Sequence, residues 1–130
     1  MRIIPPRKEA RVLGATFTGE VFPAETMPPD HGVAINTIDF APGARTFWHR
    51  HERGQVLVVL AGSGLVQADG VSLQTIRTGD TVWAPPDERH WHGAGPESFL
   101  VHTAISLGQT TWETEVTEAE YGAPVQDTHP

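Results

Sequence analysis

Cysteine is absent from this chain of 130 residues. Its absence excludes disulfide bonds, a thiolate metal site and a cysteine nucleophile. It is also typical of proteins that stay in a reducing cytosol, so we expect a cytoplasmic location. Long hydrophobic runs are missing as well. The first residues hold no apolar core of the roughly 7–15 residues of a signal peptide, and no stretch approaches the ~20 apolar residues of a membrane span. We therefore expect neither a leader nor a membrane segment.

Positive charge is also scarce. The chain has 9 lysines and arginines against 16 aspartates and glutamates, which gives a formal net charge of −7. A nucleic-acid partner would require a basic stripe along the phosphate backbone, and the few basic residues here are scattered. We therefore expect no nucleic-acid partner and no membrane partner, and a small molecule as the substrate.

Glycine and proline, by contrast, are plentiful, with 13 and 11 residues. They separate short runs of apolar or alternating residues, which is typical of an all-β domain. The pattern predicts one domain over residues 1–130, either a sandwich or a closed barrel. Its core is expected at about 33–106 and its N-terminal strands at 11–22.

Two further segments have a local pattern of their own. The proline-rich segment 23–32 is expected to be an irregular loop. Residues 111–121, with several glutamates at the start, are expected to form one short helix. That helix should end at Gly122 in the left-handed conformation.

Histidines form two closely spaced pairs. The stretch "TFWHRHERGQ" contains His49 and His51, and "ERHWHG" contains His90 and His92. Side chains two residues apart on a β-strand point to the same face, whereas on a helix they would diverge by about 200°. A single histidine in a strand is usually structural or exposed, but two such pairs in a chain this short favour one shared metal site. A site of that kind would require all of them to face one interior, which favours a closed barrel.

Two longer stretches around these pairs resemble a known family. The segments "GARTFWHRHERGQVLVVLAG" (43–62) and "GDTVWAPPDERHWHGA" (79–94) are similar to the two signature motifs of the cupins. Gln55 stands where most cupins have Glu, and Asp87 and Ala94 stand where the second motif usually has Gly and Asn. The resemblance implies a cupin-type antiparallel β-barrel of the jelly-roll kind. The metal ligands that it implies are His49, His51, Gln55 and His90.

A narrower resemblance covers nearly the whole chain after about residue 15. The segments "PGARTFWHRH", "GDTVWAPPDERHWHGAGP", "HTAI" and "WETEVTEAEY" are similar to the small manganese-dependent cupins with hydroxynitrile lyase activity. In that group the ligands are three His and one Gln, and the pocket carries residues that correspond here to Thr46, His92 and His102. The resemblance implies a carbon–carbon lyase that interconverts an aromatic cyanohydrin with an aldehyde and cyanide. It also implies Mn²⁺ as the cofactor and, as in many small cupins, a homodimer or homotetramer.

The ligand set agrees with Lewis-acid chemistry. Three His and one Gln carry no charge, so a divalent ion keeps its full charge for a substrate oxygen. Mixed nitrogen and oxygen ligation suits Mn²⁺ or Fe²⁺, and Zn²⁺ or Ni²⁺ are alternatives because affinity rises along the Irving–Williams series. His92 shares a strand face with His90 without being needed as a ligand, which makes its imidazole a candidate general base.

The catalytic candidates are therefore His92, His102 and Thr46. One histidine would take the proton of the substrate hydroxyl, the other would stabilise the departing cyanide, and Thr46 would orient the hydroxyl. The alternative is that both histidines only form hydrogen bonds in the core. Two other functions stay open: an Fe²⁺-dependent cupin dioxygenase acting on a small aromatic or diketone substrate, and a non-catalytic module that binds a metal or a small ligand. We also expect the first strands, near residues 12–22, to pair across subunits and cover open sheet edges.

Overall fold

The computed structural model describes residues 1–5 and 16–130, and in them it has twelve β-strands and one short α-helix. The first six strands are β1 (Phe17–Thr18), β2 (Val21–Asp30), β3 (Val33–Phe40), β4 (Arg45–Thr46), β5 (His49–His51) and β6 (Gln55–Ala68). The other elements are β7 (Leu73–Arg77), β8 (Thr81–Ala84), β9 (His90–Ala94), β10 (Leu100–Leu107), β11 (Thr110–Trp112), α1 (Glu118–Tyr121) and β12 (Val125–Gln126).

Strand β6 connects the two sheets of a barrel because it belongs to both. Its first half pairs with β8 and β10, and its second half pairs with β7 and β9. One sheet has the order β8-β6-β10-β3-β2, and the other contains β1, β4, β9, β6, β7 and β12, with β5 between β9 and β11. The pairings among the described strands are antiparallel except for β12 with β7. The fold is thus an all-β antiparallel jelly-roll barrel, which confirms the predicted class.

The alternation of burial along β10 shows which of its side chains face the barrel interior. On β10, buried residues alternate with half-buried ones, so that Leu100 and His102 point inward along with Ala104 and Ser106. Successive side chains of a strand face opposite sides of the sheet, which explains the period of two. Apolar residues around Phe40 fill one part of the interior. The ring of His102 lies 5.1 Å from that of Phe40, so the histidines begin where the apolar cluster ends.

The expectation of an irregular loop at 23–32 is wrong. Strand β2 runs through most of this segment and pairs with β3. Proline cannot donate to a neighbouring strand, but it is tolerated on an edge strand, where one side needs no partner. The register slips between Glu25 and Met27 and again between Met27 and Asp30. The second irregularity contains Pro28 and Pro29, whereas Pro23 stays in register opposite Ile38.

The expected helix at 111–121 is much shorter in the structure. Helix α1 is a single turn capped by Thr117, whose hydroxyl accepts a hydrogen bond from the backbone N–H of Glu120. Gly122 ends the helix with a φ of −86°, so the left-handed conformation is not used there. The beginning of the segment instead forms β11, which pairs with β5. Pairing with a distant strand here outweighs the local helical pattern.

The predicted N-terminal strands at 11–22 are described only in part. Residues 11–15 lie outside the described residues, and the remainder contains β1 and the first residues of β2. Helix α1 is the single helix of the described residues, and it is far too short to cross a membrane.

Candidate metal centre

Three histidines from two neighbouring strands converge inside the barrel. His49 and His51 share one face of β5, and His90 on β9 is directly opposite His49 in the register. All three are buried, and their potential ligand nitrogens lie within 4.8 Å of one another. Ligands on opposite sides of one ion are about 4.2 Å apart for a metal–nitrogen bond of ~2.1 Å, so side-chain shifts of a few tenths of an ångström let all three nitrogens reach one ion.

The orientation of each imidazole leaves Nε2 free to bind an ion. His49 Nδ1 lies 2.8 Å from the carbonyl oxygen of Phe47, and His90 Nδ1 lies 3.0 Å from that of Glu88. A carbonyl oxygen can only accept, so these Nδ1 atoms carry the hydrogens and the lone pairs are on Nε2. His51 has the same arrangement, with Nδ1 3.0 Å from the hydroxyl of Thr110 and a buried Nε2 that has no hydrogen-bond partner. Metal-binding histidines are typically held in this way through their second nitrogen.

Gln55 completes the set of donors. Its amide nitrogen donates to the hydroxyl of Ser106 at 3.0 Å, which turns Oε1 toward His90. Oε1 then lies 3.1 Å from the Nε2 atom of His90. Two lone pairs face each other at this distance, and a cation between them removes the repulsion. The residues therefore fit a divalent ion bound by three nitrogens and one oxygen.

Burial keeps these histidines uncharged. It lowers the pKa of His51 to about 4 and is also the largest cause of the lowered pKa values of His49 and His90. An imidazole must be neutral to bind a metal ion, because a bound proton occupies the same lone pair. The site is thus ready to bind metal at neutral pH.

A cavity of about 320 Å³ is lined by His49, His51 and Gln55, whereas His90 is not among its lining residues. The indole of Trp112 stands over His49, with 4.6 Å between ring centroids, and the ring of Phe17 lies 5.9 Å from Trp112. The other apolar lining comes from Pro23, Pro29 and Ile38, together with two alanines. Among residues 1–5 and 16–130, no Asp, Glu, Lys or Arg side chain lines this cavity. Its surface is therefore uncharged apart from any ion held at the histidines.

The remaining candidates lie next to one another, but they are not equivalent. His92 lines the cavity, and its Nδ1 is 2.9 Å from Nε2 of His102. His102 has no exposed surface and lies behind His92, so any role in the reaction is exerted through His92. The hydroxyl oxygen of Thr46 accepts the backbone N–H of His92 at 3.2 Å, which leaves the hydroxyl hydrogen free for the cavity. The structure thus brings all seven predicted residues together, but neither His90 nor His102 lines the cavity.

Sequence reasoning missed three residues of the site. Ser106 orients the amide of Gln55, Thr110 orients His51, and Trp112 covers His49. Ser106 could have been found, because it shares the inward face of its strand with His102. Trp112 lies in the segment that was predicted as a helix and Thr110 directly precedes it, and only the pairing of β11 with β5 reveals them.

The fold and this arrangement of histidines can now be compared with known proteins. The family described as "Cupin domain" matches residues 36–103. The chain belongs to the cupin family. The matched region holds every residue of the candidate centre except Ser106, Thr110 and the aromatic residues over the cavity. This cupin therefore carries its proposed metal ligands in the part of the chain that defines the family.

Two curated relatives are lyases. This cupin is 42% identical over 111 residues to the (R)-mandelonitrile lyase of Granulicella tundricola, covering 81% of this chain and 85% of that protein. It is also 37% identical over 75 residues to the dimethylsulfoniopropionate lyase DddW of Ruegeria pomeroyi. That match covers 58% of this chain and 47% of the relative, so this cupin spans about half of DddW.

Solved structures agree with the fold. A cupin-like protein of Thermotoga maritima is 36% identical, with a TM-score of 0.84 over 88% of this chain and 92% of the other. The polyketide cyclase RemF of Streptomyces resistomycificus is 19% identical, with a TM-score of 0.69 over 88% and 84% of the two chains, and it shares the fold alone. Both comparisons place the cupin barrel over most of the chain.

Acid is expected to destabilise the metal-free protein through the buried histidines. The pKa of His51 is about 4 in the folded protein against 6.5 for an unperturbed imidazole. Between these values the unfolded state binds more protons, so the free energy of unfolding falls as the pH is lowered through this window. As the pH is lowered from 6.5 to 4, we expect the urea concentration at the unfolding midpoint of chelator-treated protein to fall. It should fall less in His51→Asn. His31→Asn, at an exposed histidine, is the matched control and should keep the wild-type slope. Identical slopes for His51→Asn and wild type would contradict the assignment.

Proposed function

We propose that this cupin is a metal-dependent carbon–carbon lyase that interconverts an aromatic cyanohydrin, such as mandelonitrile, with an aldehyde and cyanide. The observation that carries the proposal is an uncharged, aromatic-walled cavity directly beside a neutral set of metal ligands. A neutral aromatic substrate can place its ring against Trp112 and Phe17 while its oxygen faces the histidines. The likeness to a mandelonitrile lyase over most of both chains supports the same reaction.

The residues of the cavity divide the work between binding and proton transfer. A divalent ion held by His49, His51, Gln55 and His90, with Mn²⁺ as our proposal, would supply Lewis-acid polarisation of the substrate oxygen. Thr46 donates a hydrogen bond to the substrate hydroxyl and so orients it. His92 takes the hydroxyl proton on Nε2, which is buried and has no other partner. The electron pair left on oxygen forms the aldehyde carbonyl, and the pair of the broken carbon–carbon bond leaves with cyanide.

The cavity favours a neutral substrate over a charged one. Dimethylsulfoniopropionate, the substrate named for the second curated relative, carries a sulfonium cation and a carboxylate. The carboxylate could face the proposed metal ion, but no described residue that lines the cavity is an Asp or Glu that could pair with the sulfonium cation. Burying an unpaired charge is costly, so the lining points to the cyanohydrin.

The decisive experiment is turnover of mandelonitrile by protein stripped of metal and reloaded with Mn²⁺, in an oxygen-free chamber. We expect benzaldehyde to form at the same rate with and without oxygen, and chelator to abolish the reaction. Oxygen consumption by Fe²⁺-loaded protein with a catechol or diketone would instead indicate the dioxygenase. Metal binding without turnover of any carbonyl or phenolic compound would indicate a binding module, and either result would overturn the proposal.

A further inference from the structure

Three charged side chains connect the two segments that carry the proposed histidine ligands. Arg50 lies on β5 between the two histidines of that strand, and Arg89 directly precedes His90. Glu113 follows β11, and its carboxylate accepts a hydrogen bond from each arginine. Its Oε2 lies 2.7 Å from Nε of Arg50, and its Oε1 lies 2.7 Å from Nε of Arg89. We call Arg50, Arg89 and Glu113 the clasp, and none of the three lines the cavity.

The backbone pairing between these two segments is short. In the described structure, the register of β5 with β9 contains one position, His49 opposite His90. By comparison, β6 pairs with β9 over five positions. The strands that carry the three histidines are therefore held to each other by little backbone pairing, and side-chain contacts have a correspondingly larger part in fixing their relative position.

The two arginines also reach across from one segment to the other. The guanidinium carbon of Arg89 lies 4.1 Å from the ring centroid of Trp48, the residue before β5. Arg50 donates a hydrogen bond to the carbonyl oxygen of Asp87 at 3.0 Å, in the loop before β9. The N–H of Asp87 in turn donates to the carbonyl oxygen of His51 at 2.9 Å. Each arginine thus contacts the segment that carries the other, and the carboxylate of the clasp joins the two guanidinium groups.

Glu113 is itself fixed at its backbone. Its N–H donates to the carbonyl oxygen of Trp48 at 2.8 Å, and the N–H of Trp48 donates to that of Thr114 at 2.8 Å. The side chain is 27% exposed, so water competes only in part for its hydrogen bonds. The hydrogen bonds from Arg50 and Arg89 lower the pKa of Glu113, so its carboxylate stays charged at neutral pH.

Metal binding is more sensitive to this arrangement than folding is. An ion pair near the surface contributes little to the stability of a folded chain. The ligand nitrogens, by contrast, lie within 4.8 Å of one another and must approach one ion closely, so a small displacement of β5 relative to β9 changes the fit. We propose that Glu113 is a positioning residue of the metal centre, which holds the ligand-bearing segments together through Arg50 and Arg89. This inference rests on the metal centre of the proposed function and not on the reaction.

The test is the dissociation constant of Mn²⁺ alone, measured by calorimetry on metal-free protein at neutral pH. Glu113→Gln keeps the shape of the side chain and removes its charge. It should raise the dissociation constant by about 10–100-fold, as is typical when a partner behind the ligands is lost. Glu118→Gln is the matched control, because Glu118 also pairs with an arginine, Arg45 at 2.9 Å, but Arg45 adjoins no proposed ligand in the sequence. A purely structural role would lower the urea midpoint of metal-free Glu113→Gln and leave the dissociation constant of the folded protein unchanged.

Arg89→Met separates the clasp from a simple effect of charge. Removing a positive charge near the site would by itself tighten the binding of a cation, because repulsion is lost. The clasp predicts the opposite, a dissociation constant that rises by roughly 10-fold or more. Because both residues act through the same contact, the double variant with Glu113→Gln should lose less than the product of the two single losses.

Arg50→Lys replaces either variant if that variant fails to fold. It keeps the charge, but an ammonium group cannot reproduce the contact made by Nε, so it should also weaken Mn²⁺ binding. A wild-type dissociation constant in folded Glu113→Gln, or unchanged or tighter binding by Arg89→Met, would overturn the proposal and leave the metal centre intact. Wild-type protein that binds no Mn²⁺ would remove the metal centre and this role of Glu113 with it. Neither result depends on whether the cavity turns over mandelonitrile.

Discussion

His90→Ala is expected to leave the folded protein nearly free of bound metal. His90 is the one proposed ligand that comes from β9, and its Nε2 faces Oε1 of Gln55 at 3.1 Å. Without His90, the remaining ligands are the two histidines of β5 and the amide of Gln55, and no ligand is left on β9. Loss of a partner that only orients a ligand typically weakens metal binding by about 10–100-fold, so loss of the ligand itself should cost at least ~100-fold. Metal content per chain after dialysis, measured by plasma mass spectrometry, gives the answer.

The other ligands should form a graded series. His49→Ala and His51→Ala should resemble His90→Ala, and Gln55→Ala should be mildest because a neutral amide oxygen binds these ions less strongly than imidazole. Gln55→Glu should bind the metal more tightly while lowering the lyase rate, since a negative ligand reduces the charge available to the substrate. His31→Ala, at an exposed histidine outside the cavity, is the control. Full metal occupancy in folded His90→Ala would remove that residue from the site.

The parity of the histidines predicted which of them share a strand face. Residues i and i+2 of a strand share a face whatever the surrounding fold, so His49 with His51 and His90 with His92 could be assigned from spacing alone. That both faces look into one barrel required more, namely the antiparallel contact that places His49 opposite His90. The family motifs supplied this expectation, and the structure agrees with it.

The misassigned segments share a physical cause. Residues 111 and 112 read locally as the start of a helix, yet they pair with β5, about sixty residues away. The prolines of 23–32 read locally as a loop, yet as an edge strand β2 needs only the hydrogen bonds that reach β3. In both cases a partner distant in sequence decides the conformation. Trp112, which covers the cavity, was missed for this reason.

His102 illustrates the limit of reasoning from spacing in another way. Its neighbours Val101 and Thr103 do not decide which way it faces, and only the burial along β10 shows that it points inward. Whether an inward residue reaches the cavity or lies behind another side chain depends on the packing of Phe40, His92 and His102 in three dimensions. The sequence motif placed both histidines in the pocket, but only His92 lines it.

The pair of histidines has a defined hydrogen-bond direction if His92 is the base. His92 Nδ1 and His102 Nε2 are 2.9 Å apart and share one hydrogen. For Nε2 of His92 to accept the substrate proton, Nδ1 must carry that hydrogen and donate it to His102. Burial lowers the pKa of His102 to about 4 and that of His92 well below its usual value, so both rings are uncharged at neutral pH. His102 is then a positioning residue that selects the basic form of His92.

His92→Ala is accordingly expected to retain its metal and to lose about 10²–10⁴-fold in rate, the range of general acid–base catalysis.

His102→Leu removes the acceptor and should lower the rate by roughly 10–100-fold, as is typical when an orienting partner is lost. His102→Gln keeps an acceptor oxygen and should restore most of the rate, whereas a purely structural role would give equal rates for the Leu and Gln variants after correction for folded protein. The measurement is the initial rate of mandelonitrile cleavage per bound metal, with circular dichroism on each variant. A folded, metal-loaded His92→Ala protein with the wild-type rate would exclude His92 as the base, and the proton would then have to leave by way of Thr46 or water.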